Sequence, residues 1–576
     1  RLVTITPDAS ALANFLPAVA PAQCVAWRDE HQWLWAMRHQ WGRRFATEAK
    51  SVAELAALLA LAPDDIALFD SQRDPWELLS RCQPPLPECG ADYTIALALA
   101  IPSGMAQTAG TTTPAKPAPS AMEQWIKDVK NPTPWLSWGG DFRARNEYLN
   151  NSITLSDDGL RHEQDLFRFR ARVWASANPV ENLSLNGRVA AEPRQWMKPS
   201  FAGSYGRDRY GVAGDTGLEW RYGIVDNLNV KYTNAFNQPL SLTAGRQDIM
   251  FGDYYQWWLV ADGTPSDGSW TFFMDSVRVG YDASDIKTKF DLVYLYQNAE
   301  PDSMFPTIGT INDSNRRPVY TLTEQNEQGV IAYASNKSLK NTTVDGYFIY
   351  KRDDRDPLIP NGDDANIYTF GGRVAGLVAD HIQYAAEGAY QFGEKQDRIS
   401  GVFDWRDMNA FGANGRLSYL FKDKLNNQAH LSYEYLSGDD PNTAEDEMFD
   451  ILWGRWPRWS ELYIYSYINE TSGKIAQLNN IQRFTAGWSL TPIKKTSVAA
   501  YYNALFAPED TATRRINNTL FSNDGHFRGH YVQAVLKYQF NPRISTHLWS
   551  EFVWQGDYYA QRDLMTFLRA EVFFTF

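Results

Sequence analysis

The chain has 576 residues, a formal net charge of −13 and a mean hydropathy of −0.44. These values exclude a bundle of transmembrane helices, which needs spans of about 20 apolar residues, and the acidic balance argues against a nucleic-acid partner. Aromatic residues nevertheless make up 14% of the sequence. A chain that is polar on average but rich in aromatics is typical of strands with one face in lipid and one in water.

The N-terminal part divides into three predicted segments. Residues 1–90 are predicted to be mainly helical, as in SVAELAALLALAPDDIALF. Residues 91–107 combine an apolar stretch with the small residues of a signal-peptidase site, so we expect a secretory signal and a mature start near Gln107. Residues 1–90 would then be upstream sequence outside the mature protein; the alternative is a genuine helical accessory domain. Residues 108–134 are predicted as a Pro/Thr-rich linker and a short helix.

From residue 135 to residue 576 the sequence alternates with a period of two, which indicates β-strands. In DLFRFRARVWAS, Phe167 and Phe169 fall on one face while Arg168 and Arg170 fall on the other. A soluble sandwich would bury the apolar face, and a membrane barrel would present it to lipid. Short and long connections alternate, which favours an all-β transmembrane antiparallel barrel of about 18 strands. The candidate strands lie at residues 135–149, 164–177, 182–194, 217–233, 238–250, 270–283, 286–298, 327–337, 341–352, 366–379, 381–394, 402–421, 427–438, 479–491, 494–507, 528–540, 543–556 and 564–576.

The last candidate strand separates an apolar face from a charged one. Its apolar face holds Leu568, Ala570, Val572, Phe574 and Phe576. Arg569 and Glu571 fall on the opposite face, which we expect to line the lumen. We expect this strand to close the barrel against the first strand near Trp138. Its alternate apolar residues and terminal Phe resemble the signal read by the bacterial barrel-assembly machinery, with Val572, Phe574 and Phe576 as that signal.

The segment LSLTAGRQDIMFGDYYQWW, followed by MDSVRVGYD, resembles a motif of the alginate-export family of outer-membrane porins. The matching positions are Gly245, Arg246, Gln247, Ile249, Phe251, Gly252, Asp253, Asp275, Val277 and Arg278. A second segment, YEYLSGDDPNTAEDEMFD, is similar to the family's Ser-Gly-Asp entry into a long loop. The resemblance covers roughly residues 135–576. It implies an eighteen-stranded barrel in the bacterial outer membrane whose arginine-rich lumen conducts an acidic polysaccharide, although WGRWPRWSELYIYSY departs from the family pattern.

Alternation places many arginines on the face opposite the apolar residues. They are Arg143, Arg145, Arg168, Arg170, Arg172, Arg188, Arg278, Arg373, Arg416, Arg483 and Arg569. The facing of Arg246 follows from the resemblance alone. Guanidinium groups pair with carboxylates in bidentate geometry, so an anion path is predicted along Arg143, Arg145, Arg168, Arg170, Arg172, Arg188, Arg246, Arg278 and Arg483. The alternative is that these arginines brace the barrel, since acids share the face: Glu147, Glu192, Glu387, Glu434, Glu551 and Glu571.

No motif for catalysis is present, and we expect no enzyme activity and no cofactor. The sequence lacks HExxH, GxSxG, P-loop and CxxC patterns, and His430 and His547 are interior positions without a justified partner. The acidic loop at Asp439, Asp440 and Asp446 is a weak calcium candidate, because it lacks the spacing of a calcium loop and such runs are more often solvated.

These features, together with the resemblance, predict an outer-membrane channel for passive export or diffusion of an anionic solute or an alginate-like acidic polysaccharide. The expected partners are outer-membrane lipid, the solute and the barrel-assembly machinery, with no nucleic acid, and the expected state is a monomer. Two alternatives remain at this stage. One is a general or sugar-specific porin, and the other is a non-conducting adhesive or structural barrel.

Overall fold

The computed structural model describes five short strands before residue 70 and, from residue 121 onward, a series of ranges separated by gaps. The described residues from 121 onward are 121–158, 162–198, 218–219, 223–251, 273–300, 304–308, 322–357, 359, 362–397, 404–440, 442–454, 459–466, 470, 479–510, 520–522 and 525–576. The chain divides into two compact units, residues 1–116 and 117–576. Each unit is considered by itself below.

In the first unit the described residues form a small sheet. Its strands are Leu2–Val3, Cys24–Arg28, Trp33–Met37, Phe45–Thr47 and Ile66–Phe69. Ile66–Phe69 lies between the first two strands and runs parallel to both. These strands differ from the mainly helical prediction for residues 1–90, because pairing on both edges outweighs the local helical propensity of the run that ends at Phe69. The remainder of 1–90 and the signal-peptide-like segment 91–107 lie outside the described residues.

The second unit begins with helix α1, Ala121–Lys130, at the position expected for the short helix within 108–134. The backbone carbonyl of Val129 accepts a hydrogen bond of 2.7 Å from the indole of Trp138 on the first barrel strand. The helix end is thereby attached to the barrel wall. Among the described residues, no helix has the length and apolar character that a membrane span requires.

Eighteen antiparallel strands then form a closed barrel, and each corresponds to one of the predicted strands. They are β1 (Leu136–Asn150), β2 (Glu163–Val180), β3 (Leu183–Ala191 and Arg194–Lys198), β4 (Leu218–Glu219 and Gly223–Tyr232), β5 (Leu240–Gln247), β6 (Met274–Ala283), β7 (Thr288–Gln297), β8 (Asn326–Asn336), β9 (Thr342–Asp354), β10 (Ala365–Val378), β11 (Ile382–Asp397), β12 (Asp404–Leu420), β13 (Gln428–Leu436), β14 (Ile481–Leu490), β15 (Thr496–Phe506), β16 (Phe527–Asn541), β17 (Ile544–Gln555) and β18 (Leu564–Thr575). Each strand pairs with the next along the chain, and β18 pairs with β1.

The barrel closes where the last strand meets the first, as predicted. Arg569 stands opposite Glu147 in the β18–β1 register. The amide of Phe576 donates to the carbonyl of Gly140 at 2.8 Å, and its ring lies 5.3 Å from that of Trp138. No sheet edge is left open at this seam, so the backbone hydrogen bonds of both strands are satisfied inside lipid.

The two faces of the wall invert the pattern of a soluble protein. Apolar side chains such as Val173, Leu431 and Leu548 are 55–58% exposed on the outside. Arginine and glutamate side chains such as Arg145 and Glu147 are 1% exposed on the inside. A soluble sandwich would show the reverse, so the outer face is a lipid-contacting surface and the inner face is a polar lumen.

The two rims of the barrel differ in their connections. At one rim the turns are short, and several place an asparagine or aspartate at positive φ, as at Asn182 (65°), Asn341 (55°) and Asp380 (56°). At the other rim the connections are longer, the longest running from residue 437 to residue 480 between β13 and β14. Short turns mark the periplasmic side of such barrels and long loops the outer side.

Candidate solute pathway in the barrel lumen

A dense network of ion pairs lines the lumen wall on β18, β1, β2 and β3. Glu147 accepts hydrogen bonds from Arg168 at 2.6 Å, from Arg569 at 2.8 Å and from Arg145 at 3.4 Å. Glu192 pairs with Arg143 at 2.8 Å and with Arg168 at 3.0 Å. All of these side chains are almost completely buried. Charges that are removed from water need such partners, so this part of the wall is cross-linked across its strands.

The same network continues towards the short-turn rim. Arg145 pairs with Glu571 across the β1–β18 seam, and Arg172 pairs with Asp141. Arg143 and Arg170 stand opposite each other in the β1–β2 register, and both are buried. The arginines of the early cluster therefore lie on the inner face of the wall, where carboxylates pair with several of them. Their role as an anion path stays a prediction.

The segment that resembles the alginate-export motif forms a second group of paired charges on the inner face. Arg246 donates to both carboxylate oxygens of Asp275 at 2.8 and 2.9 Å, and its guanidinium lies 3.7 Å from the centre of the Phe273 ring. Gly245 has a φ of 118°, and a Cβ there would lie 2.4 Å from the carbonyl oxygen of Leu228. Glycine is thus required beside Arg246, because a side chain would be strained at this φ and would collide with the backbone of β4.

The other motif positions support this group. The side-chain amide of Gln247 donates to the carbonyl of Ser276 at 3.2 Å, and Ile249 and Phe251 are buried. Gly252 and Asp253 lie outside the described residues. The motif therefore ties β5 to β6 on the inner side of the wall.

Most of the remaining predicted arginines are also paired on the inner face. Arg188 bonds Asp226 and Asp248, each at 2.8 Å. Arg373 bonds Asp345 at 2.9 Å, and Arg483 bonds Glu434 at 2.9 Å. Arg416 shares the inner face with the buried Ser418 on β12, opposite the exposed Leu417.

A cavity of about 630 Å³ opens into the lumen in the half of the wall next to the short turns. It is lined by Arg172, Trp174, Ala175, Ser176, Asn186, Gly187, Arg188, Asn227, Asn229, Lys231, Ser241, Thr243, Gln247, Asp248, Arg278 and Asp291. Arg278 pairs with Asp291 at 2.7 Å, and its side chain keeps 31% of its surface exposed. Among the predicted arginines that line this cavity, Arg278 has the most exposed side chain.

Lys231 is a further cation in this cavity that sequence reasoning missed. It lies on the inner face of β4 between Val230 and Tyr232, which are exposed on the lipid side. Its side chain is exposed, and within the described part of the chain no carboxylate forms an ion pair with it. The alternation of β4 places Lys231 on the inner face, but the predicted anion path contained only arginines.

The acidic loop after β13 is held by cations and backbone amides. Asp439 accepts hydrogen bonds from Arg406 at 2.8 and 3.1 Å. Asp440 accepts from the amide of Asn442 at 2.8 Å, and Asp446 from the amide of Met448 at 3.0 Å. Within the described residues, no group of three or more His, Cys, Asp or Glu side chains is arranged to hold a metal ion.

The two interior histidines have different surroundings. The ring nitrogens of His430 lie 2.8 Å from the hydroxyls of Ser418 and Ser489. No carboxylate orients this ring within the part of the barrel that the structure describes, so the arrangement lacks the third group of a catalytic triad. His547 lies 3.4 Å from Glu571 and belongs to the ion-pair network.

Comparison with known proteins identifies this barrel. The family model described as "Alginate export" matches residues 134–573. The chain belongs to the alginate export family. Together with the closed barrel and its lipid-contacting outer face, this membership places the protein in the bacterial outer membrane as a channel protein.

Individual relatives add little to the family assignment. A BenF-like porin from Pseudomonas fluorescens is 8% identical, with a TM-score of 0.46 over 77% of this chain and 98% of that one. OccAB3 of Acinetobacter baumannii is 10% identical, with a TM-score of 0.46 over 76% of this chain and 99% of that one. A stretch of 99 residues, 17% of the chain, is 52% identical to the DNA utilization protein HofM of Escherichia coli. The chain spans 38% of the length of that curated relative.

Proposed function

We propose that this member of the alginate export family conducts anions passively, with acidic sugars or acidic polysaccharide as the solute class, and that solute contacts the cavity on β2–β7. The observation that carries the proposal is the exposed Lys231, which has no ion-pair partner among the described residues. Arg172, Arg188 and Arg278 line the same cavity, against the two carboxylates Asp248 and Asp291. The three arginines are paired, Arg172 with Asp141, Arg188 with Asp226 and Asp248, and Arg278 with Asp291. Lys231 is therefore the cation of this cavity whose charge no described carboxylate neutralises.

The rest of the lining suits a hydroxylated solute. Asn186, Asn229 and Ser241 offer amide and hydroxyl groups, which donate and accept hydrogen bonds with sugar hydroxyls. Trp174 on β2 adds a flat apolar ring face against which the C–H face of a sugar can lie. The cavity offers cations for a carboxylate beside neutral groups for sugar hydroxyls. This combination fits an acidic sugar better than an inorganic anion.

The proposed path is a series of weak contacts. The exposed cations of the cavity are screened by water, and Arg278 is in addition partly neutralised by Asp291. A solute that meets several such groups can enter and leave each in turn, whereas a single strong site would hold it. This property supports diffusion of a polyanion through the barrel.

The test is the ion selectivity of the purified barrel in planar lipid bilayers. The reversal potential in a KCl gradient is expected to show anion preference, and Lys231→Glu is expected to lower the anion-to-cation permeability ratio about fivefold, which corresponds to about 1 kcal/mol. Lys424→Glu makes the same charge change in an exposed turn at the same rim, outside the cavity, and is expected to leave the ratio unchanged. A wild-type preference for cations would overturn the proposal, and an unchanged ratio in Lys231→Glu would remove the cavity from the path.

A sugar-specific porin is a second candidate, favoured by the neutral amides and hydroxyls of the same cavity. Blocking experiments separate the two. Oligomers of a uronate and of the matching neutral sugar are added to single channels at equal concentrations. Stronger block by the uronate supports the anion channel, and equal block that Lys231→Glu does not change supports the neutral-sugar porin.

The lipid-facing end of β18 is proposed as the signal for the barrel-assembly machinery. Val572 and Phe574 are exposed on the outer face, and the ring of Phe576 contacts Trp138 at the seam. Phe576→Ser is expected to reduce the amount of folded protein in the outer membrane while the molecules that do assemble keep their conductance. Normal assembly of the variant would contradict this role.

A further inference from the structure

The turns at the short-turn rim fall into two groups that differ in charge. Six successive turns, from β6–β7 round to β16–β17, comprise residues 284–287, 337–341, 379–381, 421–427, 491–495 and 542–543. Their charged residues are Lys287, Lys337, Lys340, Lys422, Lys424, Lys494, Lys495 and Arg543 against Asp285, Asp380 and Asp423. The other two turns, 181–182 and 233–239, contain one glutamate and no lysine or arginine. In a chain with a net charge of −13, positive charge is therefore concentrated on one arc of this rim. We name the six turns the basic arc.

Most lysines of the basic arc are exposed and have no carboxylate partner. Within the described part of the chain, five of them form no ion pair: Lys287, Lys337, Lys340, Lys422 and Lys424. The acid nearest to two of them in sequence, Asp423, accepts hydrogen bonds from the amides of Leu425 at 3.1 Å and Asn427 at 3.0 Å. It is thus occupied in shaping its own turn. The charge of these lysines is left for a partner outside the protein.

The same turns expose large aliphatic side chains. Four of these side chains, each next to a lysine in the sequence, are 42–65% exposed: Ile286, Leu339, Leu425 and Ile493. An apolar side chain beside a lysine gains nothing from water or from a dissolved polyanion. At a membrane surface the apolar group can enter the boundary of the acyl chains while the ammonium stays among the headgroups. The pairing of the two residue types therefore favours a lipid surface as the partner.

Aromatic rings on the outer face place the arc at the level of the headgroups. The ring of Phe421 in the β12–β13 turn lies 4.9 Å from that of Tyr419 and 5.1 Å from that of Trp488. All three side chains are exposed on the lipid-contacting side of the wall. The indole of Trp488 donates a hydrogen bond of 2.9 Å to the side chain of Asn427 in the same turn. Tyrosine and tryptophan in such positions mark the boundary between membrane and water.

We propose that the basic arc binds anionic phospholipids of the periplasmic leaflet. Its lysines would contact the headgroups, and the neighbouring aliphatic side chains would continue the lipid-contacting face of the wall. Neighbouring turns form one surface, since the ammonium of Lys495 donates to the carbonyl of Phe540 at 2.9 Å. Lysines near an anionic membrane surface each add to its attraction, so several in one arc select anionic over zwitterionic lipid. This inference does not depend on which solute the channel conducts.

The experiment measures which lipid the purified protein retains. Native mass spectrometry follows its binding of phosphatidylglycerol and phosphatidylethanolamine, supplied in equal amounts with the same acyl chains. The wild type is expected to prefer phosphatidylglycerol at least about tenfold, and Lys422→Gln combined with Lys424→Gln is expected to lower this preference about threefold. The control combines Lys198→Gln with Arg352→Gln, which removes the same charge from exposed residues at the rim with the long connections. The control is expected to keep the wild-type preference.

A second pair of substitutions tests whether the arc acts as a whole. Lys337→Gln combined with Lys340→Gln lies in another of its turns and is expected to lower the preference by a similar factor. Heat-modifiable migration on gels verifies that each variant is a folded barrel. Absence of a preference in the wild type overturns the proposal, and so does an unchanged preference in both folded double variants. Weaker block by uronate oligomers in variants that keep the lipid preference would assign the arc to the solute instead, and would also overturn it.

Discussion

The lumen has two arginine-rich regions that differ in what surrounds their charges. On β18, β1, β2 and β3, the side chains of Arg145, Arg168 and Arg569 are at most 2% exposed and converge on Glu147. In the cavity on β2–β7, Arg278 pairs with Asp291 and is also partly exposed to water. Lys231 in the same cavity is exposed. The first region holds more arginines, but the cations of the second are more exposed to water.

The difference shows that the density of arginines does not locate a conduction path. A buried guanidinium has already exchanged its water for carboxylates, and a passing anion would have to displace one of them at a cost of several kcal/mol. An exposed and partly neutralised cation offers a weaker contact without that cost. We therefore infer that the early arginine cluster braces the wall, and we propose the cavity on β2–β7 as the anion path in its place.

The largest expected effect tests the bracing half of this comparison. Glu147→Ala leaves three buried guanidinium groups without their shared acceptor, and we expect the free energy of unfolding to fall by about 3–5 kcal/mol. Urea titration of the barrel in lipid vesicles, followed by tryptophan fluorescence, measures it. Glu394→Ala removes an exposed glutamate of β11 and is the matched control, expected within about 0.5 kcal/mol of wild type. A loss below about 1 kcal/mol in Glu147→Ala would show that the network does not brace the wall.

The next effect concerns the backbone that supports Arg246. In Gly245→Ala the new Cβ meets the carbonyl oxygen of Leu228 at 2.4 Å, with φ at 118°, so we expect a destabilisation of about 1–3 kcal/mol in the same titration. Gly346→Ala is the control, because a Cβ there has no atom within 4 Å. Equal stability of the two variants would mean that the backbone conformation of Gly245 is not needed to place Arg246 on Asp275.

The strand number and the facing of the wall were predictable from the sequence. Alternation in segments such as DLFRFRARVWAS sets which side chain meets lipid, because the period of a strand is fixed at two. The closure of the last strand against the first was predictable because the two end strands of a barrel pair with each other. Alternation does not determine the stagger between neighbouring strands. Arg168 meets Glu147 and Glu192 only because of that stagger, so its partners were not predictable from one sequence.

The positions of the loops were the second feature that could not be predicted from the sequence. The connection after β13 has no period, so its aromatic residues indicated packing across the barrel mouth without showing that Glu551 would hold Ser460 and Leu462 inside the lumen. Glu551 itself was expected on the inner face, but as one of several bracing acids. The strand Ile66–Phe69 in the first unit shows a related limit, since a neighbour on each side determined its conformation.

A smaller effect tests the exposed half of the comparison. Arg278→Gln removes one partly exposed charge from the cavity, and we expect the anion-to-cation permeability ratio to fall about threefold while stability changes by less than about 1 kcal/mol. Reversal potentials and the urea titration measure the two quantities. Arg352→Gln is the control, because Arg352 pairs with Asp354 and is exposed outside the cavity. A large loss of stability with unchanged selectivity would place Arg278 among the bracing arginines.

The smallest effect has the opposite sign. Asp291→Asn keeps the shape of the side chain but leaves Arg278 without its neutralising charge, so we expect the anion-to-cation permeability ratio to rise about twofold at 0.1 M KCl. At 1 M KCl the Debye length falls to about 3 Å, and the difference from wild type should nearly disappear. Persistence of the difference at 1 M would indicate that Asp291 acts by holding the guanidinium in place and not through its charge. A fall in the ratio at both salt concentrations would mean that Asp291 must orient Arg278 for contact with the solute. The ion pair would then assist anion permeation instead of reducing it.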